Sequence, residues 1–359
     1  METNKRKTLV ILSPGFPENE ADSTCLPPQQ IFVKALKEVY PELNIIVLTF
    51  QYPFFSAKYD WHGVRVISFG GKNKGRLYRL FMNVRILATL RKLRREEQII
   101  GLLSFWFGKC AYLGNLFTKK YHLKHYSWIL GQDAKAGNKY FRKINPEGES
   151  LIALSDFIVR EFSKNYGIVP AHIVPVGINT SLFKQINERR NIDILGAGSL
   201  IPLKQYRIFI TMISALKEFH PEIKAAICGD GPEREELQAL IELMKLDDNV
   251  VLLGRLTHQE VLTYMQKSRI FLHPSDYEGF GAVCLEALYA GADVVSFVKP
   301  MDTAITNWHI AADKYEMLQL LKQLLAQPII SRQPVLPYTI QDNAKKMIGL
   351  FDYNEPAIS

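Results

Sequence analysis

The chain has 359 residues, of which 47% are hydrophobic, and a formal net charge of +8. That is more apolar material than one ordinary domain buries and enough for two sizeable cores. No run approaches the roughly 18 consecutive apolar residues of a membrane-spanning helix. In METNKRKTLVILSPG the apolar core is only Leu9–Leu12, too short for a signal peptide, so it reads as a first buried strand. Cys25, Cys110, Cys228 and Cys284 are scattered without metal-ligand spacing, which fits a reducing, cytoplasmic setting. The charge is uneven. Residues 1–190 hold 29 Lys/Arg against 15 Asp/Glu, a net of +14, whereas residues 191–359 hold 15 against 21, a net of −6. The first half is therefore the one expected to meet an anionic surface.

In chain order, the first half offers strand patterns at 8–12, 44–48, 64–69, 99–105, 126–130, 151–154 and 172–176, with helical patterns between most of them. The polar run KQINERR, 184–190, is the expected linker. The second half is more regular. Strands at 192–195, 224–228, 250–253 and 270–272 precede helices near 205–219, 233–246, 258–267 and 280–290, and a further strand follows at 293–297. Alternation of this kind means parallel βαβ units with right-handed crossovers. The expected fold class is α/β, with two doubly wound, Rossmann-like domains facing each other across a cleft. The expected division is 1–186, 187–335 and a C-terminal helix in 336–359 that crosses back to the first domain.

In open α/β sheets, ligands bind at the carboxyl ends of the strands, where glycine turns meet helix N-termini. The second half places GAGS (196–199), GDGPE (229–233) and EGFG (278–281) at three such ends. Lys204 follows the first, where an ammonium can neutralise phosphate as a point charge. Glu278 stands at the third turn and Glu286 on the helix leaving it, roughly 10–12 Å further along the chain. Two carboxylates so close to a diphosphate would repel it, so their natural partners are the hydroxyls at the two ends of a nucleotide sugar. His273 and His62 each read as structural residues.

The stretch PSDYEGFGAVCLEALYAG, with glutamates eight apart, resembles the retaining, GT-B-fold glycosyltransferases of family GT4. GAGSLIPLK, ICGDGPEREEL, VVLLGRL and VPVGINTSLF stand around it in the family's order and spacing. The resemblance covers most of residues 151–297. It implies that Glu286 holds the ribose hydroxyls of the donor and that Glu278 contacts the transferred sugar. Gly279, Phe280 and Gly281 would offer backbone donors, Lys204 would bind the diphosphate with Gly198 and Ser199 beside it, and Arg255 with Leu256 would meet the nucleobase edge. In the first half, Gly15 in SPGFP, Asp133 in LGQD and Ser155 in ALSDF fall on family positions. The chain also departs from the family's pattern. Ser199 replaces the usual arginine, Leu130 the usual histidine, Pro27-Pro28 a glycine pair, and VKPMDTA a glycine-rich turn.

The activity implied is transfer of a sugar from a UDP- or GDP-sugar to a hydroxyl of a glycan or lipid-linked acceptor with retention of configuration. Glu278, Lys204 and Asp133 are the expected catalytic residues. No Asp-x-Asp motif occurs, so neither a metal nor a cofactor is expected. The rival reading is a non-catalytic relative that binds a nucleotide sugar or a partner enzyme. Residues 72–95 carry nine Lys/Arg and no acid, with apolar residues at 77, 80, 81, 84 and 87. That stripe is expected to pack on the sheet, with the cations facing an anionic membrane surface at the inner face of the cell membrane. Nucleic acid is not an expected partner, since no recognition motif accompanies the charge.

Overall fold

A computed structural model describes residues 5–71, 74–184, 190–328 and 333–353. The chain divides into two compact units, Met1–Gly177 with Ile340–Ser359, and Ile178–Thr339. Within the run expected as linker, residues 185–189 lie outside the described residues.

The first unit opens with β1 (Lys7–Gly15), α1 (Pro27–Val39), β2 (Asn44–Tyr52), β3 (Ser56–Trp61), β4 (Val64–Phe69) and the long α2 (Arg76–Glu96). It continues through β5 (Gln98–Phe105), α3 (Lys109–Tyr121), β6 (His125–Ile129), the single turn α4 (Phe141–Ile144), β7 (Leu151–Ala153), α5 (Asp156–Tyr166) and β8 (His172–Ile173). The sheet order is β3-β4-β2-β1-β5-β6-β7-β8. Every pair is parallel except β3–β4. The central strands are buried on both faces, which is why they read as continuous apolar runs rather than alternating ones.

Sequence periodicity misses β3, and the reason is physical. SAKYDW is an antiparallel edge strand, mostly solvent-facing, so it carries no apolar run. It turns into β4 through His62 and Gly63, both at positive φ, the backbone of a tight primed hairpin turn.

Helix α2 corrects a second expectation. Leu77, Leu80, Phe81 and Val84 do not pack on the sheet, and each is more than half exposed. The buried face is instead Met82, Ile86, Leu90 and Leu93, seated against Val10, Ile46, Leu48 and Leu102. Of the expected stripe, only Leu87 packs against that core.

The second unit contains β9 (Ile192–Ala197), α6 (Tyr206–Lys217), β10 (Ala225–Cys228), α7 (Arg234–Leu243), β11 (Val250–Gly254), α8 (His258–Lys267) and β12 (Ser268–His273). Then come α9 (Ala282–Tyr289), β13 (Asp293–Ser296), β14 (Trp308–Ile310) and α10 (Lys314–Ala326). Its strands are all parallel, in the order β11-β10-β9-β12-β13-β14. β14 escapes sequence detection because WHI is an edge strand, only partly buried, and carries no apolar run. One apolar cluster, including Ile194, Phe209, Ile213, Ile227, Leu272 and Leu321, forms the core of this unit.

The last helix, α11 (Ile340–Gly349), returns to the first unit and packs on α1. It buries Ile340, Ala344, Met347 and Ile348, and Asn343 donates to the Pro175 carbonyl at 2.8 Å.

Candidate functional site

In the second unit the strand order reverses between β9 and β12, and the crevice outside their carboxyl ends is where this topology binds ligands. β9 runs out through Gly198 and Ser199 into a short 3₁₀ turn, Pro202–Lys204. The β12 loop is tied to that turn by the bond from Asp276 N–H to the Leu203 carbonyl, 3.2 Å. The tie brings Lys204 onto Glu278. The ammonium and the carboxylate Oε1 form an ion pair, both side chains mostly shielded from solvent.

His273, the last residue of β12 and almost fully buried, reaches the same Oε1 at 3.0 Å. An ionised carboxylate only accepts, so the imidazole donates its Nε2–H. Burial holds His273 below its ordinary value, against the opposing pull of Glu278, and keeps it neutral. Burial alone would raise the Glu278 carboxyl, but the His273 hydrogen bond and the Lys204 charge outweigh it and hold the group well down. Glu278 is therefore an anion with one oxygen occupied twice. The sequence reading of His273 as a structural residue missed this contact.

After Glu278 the chain passes Gly279 and Phe280 into α9. Phe280 is buried edge-on against Trp308 and Tyr338, at 6.0 and 5.7 Å between centroids. Its side chain is thus an anchor, and only its backbone can serve a ligand. Gly281, at φ +89°, is the N-cap of α9 and supplies no side-chain acceptor to the first turn. An anion placed at this end of α9 would meet the helix's N-terminal dipole.

One turn beyond the helix start, Glu286 accepts a bond from His258 Nε2 at 2.8 Å. That bond, working against partial burial, raises the His258 imidazole above its ordinary value. His258 is the first residue of α8, fixed by a capping box between Thr257 and Glu260. Periodicity gave no sign of it. The rule that ligand-facing groups follow strand ends would have found it, since it stands four residues past β11. Arg255 and Leu256 lie in the same turn, the arginine exposed.

The other glycine turns differ in what they do. The Gly198 N–H is donated to the Cys228 carbonyl at 2.9 Å, so what Gly198 offers a ligand is close approach. A Cβ at Gly229 would lie 1.8 Å from the Gly198 carbonyl oxygen. GDGP is thus built to let one turn pack backbone against the other. Ser199 is exposed beside them.

Three expected residues, Asp133, Gly15 and Ser155, lie in the first unit. Asp133 follows β6, and its carboxylate accepts from the backbone N–H groups of Phe107 (2.7 Å), Gly131 (2.8 Å) and Leu130 (3.2 Å). It braces the loops after β5 and β6. Burial pushes its carboxyl up against the downward pull of those bonds. Gly15, at the end of β1, is buried beneath Cys25 and Tyr52. Ser155 caps α5 by accepting from Ile158 N–H. Lys204, Glu278 and His273 are thus brought together, with Glu286 and His258 as a second pair on the same side of the second sheet.

Residues 179–313 match the family model described as Glycosyl transferases group 1. A segment of 89 residues, 25% of this chain, is 37% identical to the phosphatidylinositol N-acetylglucosaminyltransferase gpi3 subunit of Schizosaccharomyces pombe, covering 20% of that protein. A longer match, 23% identical over 67% of this chain, is to the alpha-monoglucosyldiacylglycerol synthase of Streptococcus pneumoniae and covers 60% of it. The chain therefore spans 20% and 60% of these two relatives' own lengths. Among solved structures, a glycosyltransferase from Rickettsia africae aligns over 96% of this chain and 94% of its own at a TM-score of 0.67 and 15% identity. Anabaena HepE, solved with UDP and glucose, aligns over 96% and 97% at 0.64 and 15% identity. At that identity the likeness shows the fold alone. The match to the glycosyl transferases group 1 model falls within the second unit, and the chain has the α/β fold of GT-B glycosyltransferases with two Rossmann-like domains.

Proposed function

We propose that this protein transfers a sugar from a UDP- or GDP-sugar to a hydroxyl of a glycan or lipid-linked acceptor, with retention of configuration, in surface polysaccharide or glycolipid synthesis in the cytoplasm. The observation that carries the reading is the Lys204–Glu278 ion pair at the β9/β12 reversal, with Glu286 eight residues further on α9. The relatives' names, which speak of N-acetylglucosamine and glucosyl transfer and of lipid acceptors, support it.

In this reading Glu286 accepts from the two ribose hydroxyls and Glu278 from the sugar. The ammonium of Lys204 turns from Glu278 towards the diphosphate, and the α9 N-terminus adds its dipole. The acceptor oxygen bonds to the anomeric carbon as the carbon–oxygen bond to the diphosphate breaks. The acceptor's proton passes to a diphosphate oxygen on the same face. The protein supplies position and electrostatic stabilisation rather than a strong base. Because Lys204 and the helix end meet the leaving charge, transfer is expected to persist in EDTA, and loss of activity on chelation would contradict that assignment.

Ser199 and Leu130, standing where the resembled family has an arginine and a histidine, favour a second reading, a relative that binds the nucleotide sugar without turnover. The test is release of UDP or GDP from candidate donors, with and without lipid and glycan acceptors. Release that requires acceptor supports the transferase. Binding without release under all conditions would support the second reading.

A further inference from the structure

The outward face of α2 carries two chemistries in sequence. Leu77, Leu80, Phe81 and Val84 are exposed along its first two turns, and Arg91 and Arg95 follow on the same azimuth. Leu77 and Arg95 are five full turns apart, about 27 Å at 1.5 Å rise per residue. Because the opposite face is seated in the core through Met82, Ile86, Leu90 and Leu93, the exposed residues cannot rotate inward.

A second segment joins the apolar end. Phe54 and Phe55, in the turn between β2 and β3, are also largely exposed. Arg85 bridges the two segments. It bonds Ser56 Oγ at 2.9 Å, and its guanidinium carbon lies 6.0 Å from the Phe81 ring centre. Arg85 thus sets the Phe54–Phe55 turn beside the exposed apolar face of α2, and an exposed apolar area of this kind marks an interaction surface.

The charge beside the patch says what it meets. No acid occurs between residues 72 and 95. Among the described residues, Arg91 and Arg95 have no ion-pair partner, and the nearest helix pair, Lys92 with Glu96, is turned to one side. We propose that this face docks on an anionic lipid bilayer, with Leu77, Leu80, Phe81, Val84, Phe54 and Phe55 entering the acyl boundary and Arg91 and Arg95 lying at headgroup level. A helix with an apolar and a cationic portion on one face satisfies both depths of such a surface at once. A protein groove would leave the cations to find carboxylates of its own. The inference does not depend on the nucleotide-sugar reading.

The test is flotation of the whole chain with vesicles of phosphatidylcholine alone, and of phosphatidylcholine with about a third phosphatidylglycerol, at low and high salt. Binding is expected to the anionic vesicles at low salt and to fall at high salt. Leu80→Ser with Phe81→Ser is expected to lower the partition more than about tenfold. Arg91→Gln with Arg95→Gln is expected to lower it about fivefold per cation. Both changes are at exposed positions, so thermal melts and nucleotide titration of the variants are expected to match wild type. Three outcomes would overturn the proposal. They are no flotation with anionic vesicles at low salt, flotation untouched by the serine pair, or a dimer in sizing that the serine pair dissociates.

Discussion

Glu278 is held by two donors of different kinds, a buried neutral imidazole and an ammonium, and both converge on one oxygen. Removing its charge leaves Lys204 without its partner, so Glu278→Gln is expected to cost about 1–3 kcal/mol at neutral pH in a urea titration. The sign with pH follows from the direction of the shift. A carboxyl held below its ordinary value of 4.5 contributes stability above that value and loses it as pH falls through the folded value. The gap between wild type and Glu278→Gln is therefore expected to close as pH falls below 4.5; a gap that stays constant would show that Glu278 is not the titrating group. His258 shifts the other way. Its imidazole is raised by Glu286, so its contribution is complete below 6.5 and fades as pH rises through the folded value. If Glu286 holds ribose hydroxyls, protonated His258 competes for it. Nucleotide affinity should then weaken as pH falls from about 8 to about 6, and less so in His258→Ala, measured by calorimetry. Glu278, Glu286 and Lys204 were legible because they sit at fixed spacing in one segment or at a turn. His258 and His273 were not, because their roles come from contacts in space that no local pattern encodes.

At the scale of elements, α2 shows what composition leaves undecided. Two apolar stripes, 77/80/81/84 and 82/86/90/93, run along opposite sides of one helix, and either could face a sheet. The second does, because it meets Val10, Ile46 and Leu48 within a core of eight buried strand side chains. Ile86→Ala should therefore cost about 2–5 kcal/mol, whereas Leu80→Ala should stay within about 0.5 kcal/mol. Chemical denaturation of the two variants checks this directly, and equal losses would reverse the assignment of faces. The parallel strands were readable because burial on both faces makes them continuous apolar runs. β3 was not, since an edge hairpin strand owes its pairing to the turn at His62–Gly63 rather than to hydrophobicity.

Across the whole molecule, the chain closes on itself in sequence as well as in space. α11 belongs with the first unit although 162 residues of the second, Ile178–Thr339, intervene. Phe351 fills the space over Gly101 of β5, where even a methyl group would clash with the ring at 2.5 Å. Phe351→Ala is expected to lower stability by about 3–5 kcal/mol in thermal or urea melts. The amphipathic tail and its return to the first domain were expected from the sequence, but the surface it meets was not, since nothing local marks Gly101 as the place that Phe351 fills. The positive charge of the first half and the negative charge of the second separate the part proposed to meet an anionic surface from the part proposed to hold the donor. The most direct test of that proposed role is calorimetric titration of the wild type and Glu286→Ala with UDP and with GDP. One of the two nucleotides is expected to bind wild type, and its binding to fall at least about tenfold in the variant. Absence of binding by either nucleotide, or equal binding to both proteins, would contradict it.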